Sequence, residues 1–466
     1  MSDEKKMLFL LVTHYSSLIT MYLFYSLLLT LGFLLLLPRF LYDALRHGKY
    51  AAGFRQRLGE LPQFDGRGEG QIIWLHCVSV GETQGARSFA ETLMKRYPSH
   101  KIVVSTTTLT GQRVARDVFK EVAALVFYFP FDWAWTVRRA LDRIAPSLVL
   151  VMETELWPHF LRQCRSRGVP VAVVNGRISE KSFRRYALVK FFMRRVLNDV
   201  TLAVMQAETD AARIEALGLP PARIKVSGNL KFDAQLDSGG HALPDELSAR
   251  FNFKDKQRPL IVAASTHAPE ERILLEAFRK IQLQLRANES NLLEPRLLVA
   301  PRHPERFSEV ATLIQASNFS WTRRTYPASP RDADCETILL DTIGELPHVY
   351  SLATIVFVGG SLAPYGGHNI LEPAAAGVPI VTGAHTHNFA SVTKTFLQRE
   401  ALLQLPAVGD EQAPDLLARV LIDLLQDTDK RCRLGANAFR ALEDNRGASN
   451  RTLEFLKPLF EQREMP

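Results

Sequence analysis

The stretch TIVFVGGSLAPYGGHNILEPAAAGVPIVTG, residues 354–383, holds an apolar run, a glycine-rich turn, the opening of a helix and a second apolar run. Apolar runs of about four to eight residues bounded by glycine read as strands buried on both faces. Strand, turn, helix and strand in succession form the repeating unit of a parallel α/β sheet. The same alternation extends outward. LIVAAST (260–266), RLLVAP (296–301) and TILLDT (337–342) precede it, and IIWLHCV (72–78), KIVVST (101–106), LVLVME (148–153), VPVAVVN (169–175) and LAVMQA (202–207) make an earlier set. The pieces between strands, such as 84–97 and 111–120, have helical length. The rhythm lapses near 233–259, where Gly239, Gly240 and Pro244 gather with mixed charges. The sequence therefore predicts two doubly wound halves, an N-terminal one over 38–234 and a C-terminal one over 259–466, joined by a linker at 235–258. The final amphipathic run, roughly 411–460, is expected to be helical, packed on the second half or crossing back to the first.

Composition sets the class. At 466 residues, 47% apolar and 23% charged, the chain has the balance of a folded protein of two or three domains. Its net charge of +8 suits an anionic membrane surface or acidic substrates. No zinc finger or aromatic RNP run accompanies that charge, so nucleic acid is not expected as a partner. Cys77, Cys164, Cys335 and Cys432 are scattered, with neither metal-ligand spacing nor a disulfide framework, which fits a reducing compartment.

The N-terminus reads differently. After a tail over 1–16, residues 17–37 (SLITMYLFYSLLLTLGFLLLL) carry no charge, and about 20 apolar residues suffice to cross a bilayer. Pro38-Arg39-Phe40 follows in place of a small-residue cleavage site, so the run is expected to be an uncleaved transmembrane anchor. Lys5 and Lys6 precede it, while Arg39, Arg46, Lys49, Arg55 and Arg57 follow, which places the body on the cytoplasmic side.

In open α/β sheets ligands bind beyond the carboxyl ends of the strands, so the informative residues follow the apolar runs. Ser79-Val80-Gly81-Glu82 turns tightly into a helix; taken alone, Glu82 also fits an acid complementing the helix dipole. Glu153 and Glu155 sit at the end of an almost wholly apolar strand, where unpaired carboxylates are costly. Glu155 fits a helix cap ahead of Pro158, whereas Glu153 is still strand-like and is the better functional candidate. Arg177, and Lys231 in GNLKFD, suit an anionic ligand, although each in isolation fits a solvated surface charge. Pro301 and Arg302, then Gly344, Glu345 and Leu346, again follow strands. In the quoted stretch the glycines let backbone approach a phosphate, the helix opening at Asn369 offers N–H groups, and Glu372 could accept from a ribose diol.

Six ordered segments, HCVSVGE, METELWP, GNLKFD, PRHPER, DTIGEL and GGSL…GGHNILEPAAAGVP, together resemble the 3-deoxy-D-manno-oct-2-ulosonic acid (Kdo) transferases of lipopolysaccharide assembly, over about residues 70–385. The resemblance implies a GT-B fold: two Rossmann-like domains facing a cleft, with an N-terminal transmembrane helix. It implies a metal-independent enzyme without a cofactor at the inner membrane, with CMP-Kdo as donor and a lipid A precursor such as lipid IVA as acceptor. Glu82 matches the family's general base. Glu153 and Lys231 match positions that stabilise the transition state. Pro301, Arg302, Gly344, Glu345, Leu346, Asn369, Ile370, Leu371 and Glu372 match segments that hold CMP. Cys77 stands where relatives vary, and the lead before Gly53 is somewhat long for the family. One evident base and no carboxylate nucleophile argue for direct displacement with inversion. The alternatives are another GT-B transferase or epimerase of cell-envelope lipids, and a non-catalytic membrane-tethered nucleotide- or lipid-binding protein.

Overall fold

The computed structural model describes residues 20–39, 42, 46, 53–62, 71–233, 242–253, 258–287 and 294–461. The expected tail, the start of the anchor, and Lys49 and Gly239-Gly240 lie outside these. The chain forms two compact units, Met1–Ala234 with Arg446–Pro466, and Gln235–Asn445.

The first unit is built on strands β1 (Ile72–His76), β2 (Lys101–Thr106), β3 (Ala123–Tyr128), β4 (Leu148–Met152), β5 (Val171–Gly176), β6 (Leu202–Met205) and β7 (Ile224–Val226). They form one sheet of order β3-β2-β1-β4-β5-β6-β7, with every pairing parallel. Alternate residues feed two cores. Trp74, Val103, Val149 and Val173 face one side, and Ile73, Leu75, Val104, Leu150 and Ala172 face the other. Burial on both faces is what continuous apolar runs require. The strands absent from the sequence reading are the edge strands: β3 is half-exposed along part of its length, and β7 has three residues.

The second unit holds β8 (Leu260–Thr266), β9 (Arg296–Pro301), β10 (Trp321–Arg323), β11 (Thr337–Leu339), β12 (Ile355–Val358), β13 (Ile380–Thr382) and β14 (Leu403–Gln404), in the order β10-β11-β9-β8-β12-β13-β14, again all parallel. In both sheets the chain starts in the middle and winds to each side. The winding direction reverses between β1 and β4 in the first sheet and between β8 and β12 in the second, and a crevice opens at such reversals.

The domain boundaries differ from those expected in two respects. The final helix, Ala448–Glu461, belongs to the first unit, where Leu453, Leu456 and Phe460 complete the core beneath β1 and β2. Asp233 fixes the return by accepting from the amide of Gly447 at 2.6 Å and from that of Ser449. The second unit thus ends at 445, not 466. Within the span expected to be a linker, Ala242–Phe251 is a helix of the second unit, held by an Arg250–Asp332 ion pair at 2.8 Å. Its amphipathic pattern is short and interrupted by Pro244, which masks it in the sequence.

The apolar N-terminal run is a helix, Thr20–Arg39, long and apolar enough to cross a membrane.

Candidate active site

The reversal in the first sheet gathers the carboxylates. Ser79 caps the helix Val80–Arg96, which leaves the end of β1, and Glu82 lies in that helix's first turn. The Glu82 carboxylate is 7% exposed and accepts from the Val78 amide and the Ser79 hydroxyl, each at 2.8 Å. Its place in the first turn also sets it at the positive end of the helix, as the helix-dipole reading has it. Glu153 follows β4 on the other side of the reversal. Its backbone takes a left-handed φ of 54°, with its amide bonded to the Val174 carbonyl at 2.9 Å. A glutamate holds such a conformation only when its surroundings over-determine it, and sites of this kind cluster where function is built. Asn175, at the end of β5, is also left-handed (56°), and its side-chain oxygen accepts from the amide of Leu230 at 3.0 Å. That contact ties the Leu230–Asp233 turn, and with it Lys231, to the same edge. The Lys231 stem lies against Gly85, where an added Cβ would meet its Cγ at 3.4 Å, three residues along the helix from Glu82.

Electrostatics follow from this convergence. Burial, and then the Glu153 charge, push the Glu82 carboxyl up to about 7; the Val78 amide and Ser79 hydroxyl pull it back, and Glu155 adds to the rise. Burial and Glu153 also raise Glu155, and burial, Glu82 and Glu153 raise the Cys77 thiol. A carboxylate that titrates near neutrality is matched to general-base work at physiological pH. Arg177, offered by the sequence as an anion ligand, meets the site's edge through its backbone: its amide and carbonyl both bond the Thr154 hydroxyl, at 2.9 and 2.6 Å.

In the second unit the segments matched to CMP fall along one carboxyl edge, beyond β9, β11 and β12. Pro301 is the last residue of β9 and Arg302 follows it, exposed, with its amide on the Thr266 carbonyl at 3.0 Å. Gly344 turns at φ 85° into the helix Leu346–Val349. The Glu345 carboxylate is already occupied, receiving Arg324 at 2.9 and 3.0 Å and the Thr342 hydroxyl at 2.6 Å. The helix after the glycines begins at Leu371, two residues later than expected. Asn369 lies just ahead of it in a turn of its own: its oxygen accepts from the amide of Leu371 at 3.0 Å, and its nitrogen donates to Glu372 at 2.9 Å. Ile370 and Leu371 are buried beneath.

At the second reversal lies a group with no warning in the sequence. Glu270, fully buried, receives the amides of His267 (3.0 Å), Gly360 (2.7 Å), Ser361 (2.8 Å) and Leu362 (2.9 Å). Burial raises its carboxyl, and those four amides oppose the rise. The carboxylate pins the glycine turn, and the turn needs glycine. At Gly359 a Cβ would strike the Ser265 carbonyl at 2.7 Å and Glu270 at 2.8 Å; Gly360 has φ 66° with His368 at 2.8 Å. His267 and His368 stack and are hydrogen-bonded through Nε2 atoms 2.8 Å apart, with Tyr365 stacked on His267. Burial, Arg302 and the neighbouring histidines lower His368 to about 4, and burial, then His303, lower His267.

Comparisons with known proteins give the family and the fold. A family profile described as 3-deoxy-D-manno-octulosonic-acid transferase (kdotransferase) matches residues 52–234. The chain is 35% identical to a 3-deoxy-D-manno-octulosonic acid transferase of Haemophilus influenzae, over 88% of this chain and 92% of that one. It is 32% identical to the enzyme of the same name from Bordetella pertussis, over 83% and 86%. Among solved structures, a glycosyltransferase of Rickettsia africae aligns with TM-score 0.52 at 13% identity, over 84% of this chain and 99% of that one. A UDP-GlcNAc 2-epimerase of Neisseria meningitidis bound to UDP-GlcNAc aligns with TM-score 0.52 at 12%, over 83% and 100%. These two share the fold, two Rossmann-like units of the GT-B type. With one-third of its residues shared across nearly the whole length of such relatives, the chain belongs to the 3-deoxy-D-manno-octulosonic acid transferase family.

Proposed function

We propose that the protein transfers Kdo from CMP-Kdo to a hydroxyl of a lipid A precursor, with inversion, at the cytoplasmic face of the inner membrane. The observation that carries this reading is the buried Glu82 carboxylate at the first sheet's reversal, pushed up to about 7 beside Glu153. A sugar hydroxyl is a weak nucleophile, and a base matched to neutral pH takes its proton as the new bond forms. In the reaction, the acceptor O–H proton passes to Glu82 and the acceptor oxygen bonds to the anomeric carbon of Kdo. The bond from that carbon to the phosphate oxygen breaks, and its electron pair leaves on CMP. Negative charge therefore grows on the nucleotide. Arg302 and the backbone amides around Gly344 are suited to receive it, because fixed donors need no reorganisation as charge develops. Lys231 supplies a positive charge on the acceptor side, where Glu82 and Glu153 would otherwise accumulate like charge. The basic residues after the N-terminal helix suit a phosphorylated lipid at an anionic surface.

The test is mass spectrometry of the lipid formed from CMP-Kdo and a lipid A precursor, with UDP-GlcNAc as control donor. Glu82→Ala is expected to lose at least roughly a hundredfold in rate while still binding CMP by calorimetry, and NMR of the product should show the anomeric configuration inverted. Normal turnover by Glu82→Ala would remove the base. Transfer from UDP-GlcNAc and not CMP-Kdo would remove the donor assignment.

A further inference from the structure

The N-terminal helix has two unlike faces. On one side, Tyr22 donates to Asp199 (3.2 Å), Tyr25 donates to Asp132 (3.0 Å), Ser26 bonds His159 (2.7 Å) and Thr30 accepts from the Trp133 indole (3.1 Å). Phe33 closes the row edge-on against Phe131 and Trp133. Their positions, i, i+3, i+4, i+8 and i+11, put all these groups on one face. The partners are built into the first unit. Asp132 is 3% exposed and also accepts from the amides of His159 and Phe160, and Asp199 is 6% exposed and paired with Arg165 at 3.2 Å. The opposite side carries Leu23, Phe24, Leu27, Leu31, Leu34 and Leu35, all exposed and without a polar residue among them.

A helix that crosses a bilayer has hydrocarbon or other spanning helices around it. Here the docked stretch, Tyr22–Phe33, runs about 16 Å beside the globular unit. If that stretch crossed, Asp132, Asp199, Arg162 and Arg165 would be carried into hydrocarbon, where ionisable groups are expensive. The exposed apolar surface also continues off the helix. Phe192 packs on Tyr22 and Tyr25, and its neighbours Leu188 and Phe191 are 86% and 76% exposed. The two helices that hold these residues carry Arg184, Arg185, Lys190, Arg194 and Arg195. Exposed apolar groups and cations on the same short helices fit the acyl boundary and anionic headgroups of one leaflet.

We propose that residues 20–35 lie in the plane of one leaflet, docked on the first unit by the Tyr22–Phe33 face and immersed by the leucine face, instead of crossing the bilayer. The inference rests on the membrane reading above and adds the seating of the enzyme on it. The occupant of the leucine face is the acyl boundary of an anionic phospholipid leaflet.

The experiment uses the full chain in phosphatidylethanolamine–phosphatidylglycerol vesicles, with the exposed Cys432 replaced by serine. Nitroxide labels at Leu23→Cys, Leu27→Cys and Leu35→Cys report depth by oxygen and nickel accessibility, and a Ser26→Cys/His159→Cys pair reports docking by disulfide formation on mild oxidation. In-plane seating predicts three similar depths, about 5–10 Å below the headgroups, and formation of the disulfide. Depths that progress by about 18 Å from Leu23 to Leu35, with no disulfide, overturn it in favour of a span. Labels in contact with one another across two chains overturn it in favour of a dimer. A folded, CMP-binding protein that ignores vesicles overturns the membrane reading itself and this inference with it.

Discussion

Replacing Glu82 by glutamine is expected to abolish transfer and, at alkaline pH, to make the protein more stable. Folded Glu82 titrates near 7, against an ordinary value of 4.5. The native state therefore holds this proton more tightly than the unfolded chain does. Its stabilising effect is complete below about pH 4.5 and is lost as the pH rises through about 7. At about 1.4 kcal/mol per pH unit, the displacement from 4.5 to about 7 amounts to roughly 3 kcal/mol charged against the native protein. Glutamine keeps the shape and has no charge to bury. Its amide oxygen can take the Val78 amide, and its NH2 can turn to the Ser79 oxygen, so neither 2.8 Å contact site is left empty. The variant should thus gain on wild type by roughly 2–3 kcal/mol between about pH 5 and about pH 8. For a unit of this size that is roughly 5–10 °C in Tm. Differential scanning calorimetry of both proteins across that range measures it, and the wild-type transfer rate should rise through the same interval. A Tm difference that does not change with pH would refute the argument, because Glu82 would then carry no buried charge.

Three further outcomes follow from the site. Glu270→Gln leaves two of four amides facing an NH2 group; losing two hydrogen bonds to a charged acceptor costs about 3–5 kcal/mol, visible in calorimetry as a drop of roughly 6–20 °C in Tm together with weaker CMP binding. An unchanged Tm would mean the glycine turn is held by something else. Arg302→Ala should weaken CMP-Kdo binding by about tenfold or more without moving Tm, because the side chain is exposed; equal affinity by calorimetry would exclude it from the donor site. Asp233→Ala removes the acceptor for the amides of Gly447 and Ser449, so limited proteolysis should clip the last helix faster, and an unaltered digestion pattern would count against that anchor point.

How far the sequence could be read follows from the physics of each element. Strands buried on both faces announce themselves as apolar runs, and LIVAAST and RLLVAP coincide with β8 and β9 residue for residue. The edge strands β10 and β14, three and two residues long, have too little burial to leave a pattern. Site candidates were legible through the rule that ligands meet carboxyl ends, which singled out Glu82 and Glu153 separately. Their convergence depends on β1 and β4 being neighbours, and strand order is not written in any local window. Glu270 was illegible for another reason. In EERILLEAFRK it looks like an ordinary acid at the start of a surface helix, and only the fold turns four amides onto it. His267 and His368, 101 residues apart, likewise become a pair only in three dimensions. The occupied Glu345 carboxylate was equally hidden, since its partner Arg324 comes from a different loop.

The last helix has a consequence for synthesis. The helix Ala448–Glu461 completes the core beneath β1 and β2, yet it leaves the ribosome only after the whole second unit has been made. The middle portion, 235–445, has β8 to β14 in hand before that helix emerges, whereas the opening portion must wait with Ile73, Leu75 and Val104 incompletely covered. Nascent chains expose apolar surface for as long as such cover is missing, and that is when aggregation competes. Loss of the helix Ala448–Glu461 should therefore damage the first unit, far earlier in the chain, and a chaperone's greatest service would fall in the interval before that helix emerges.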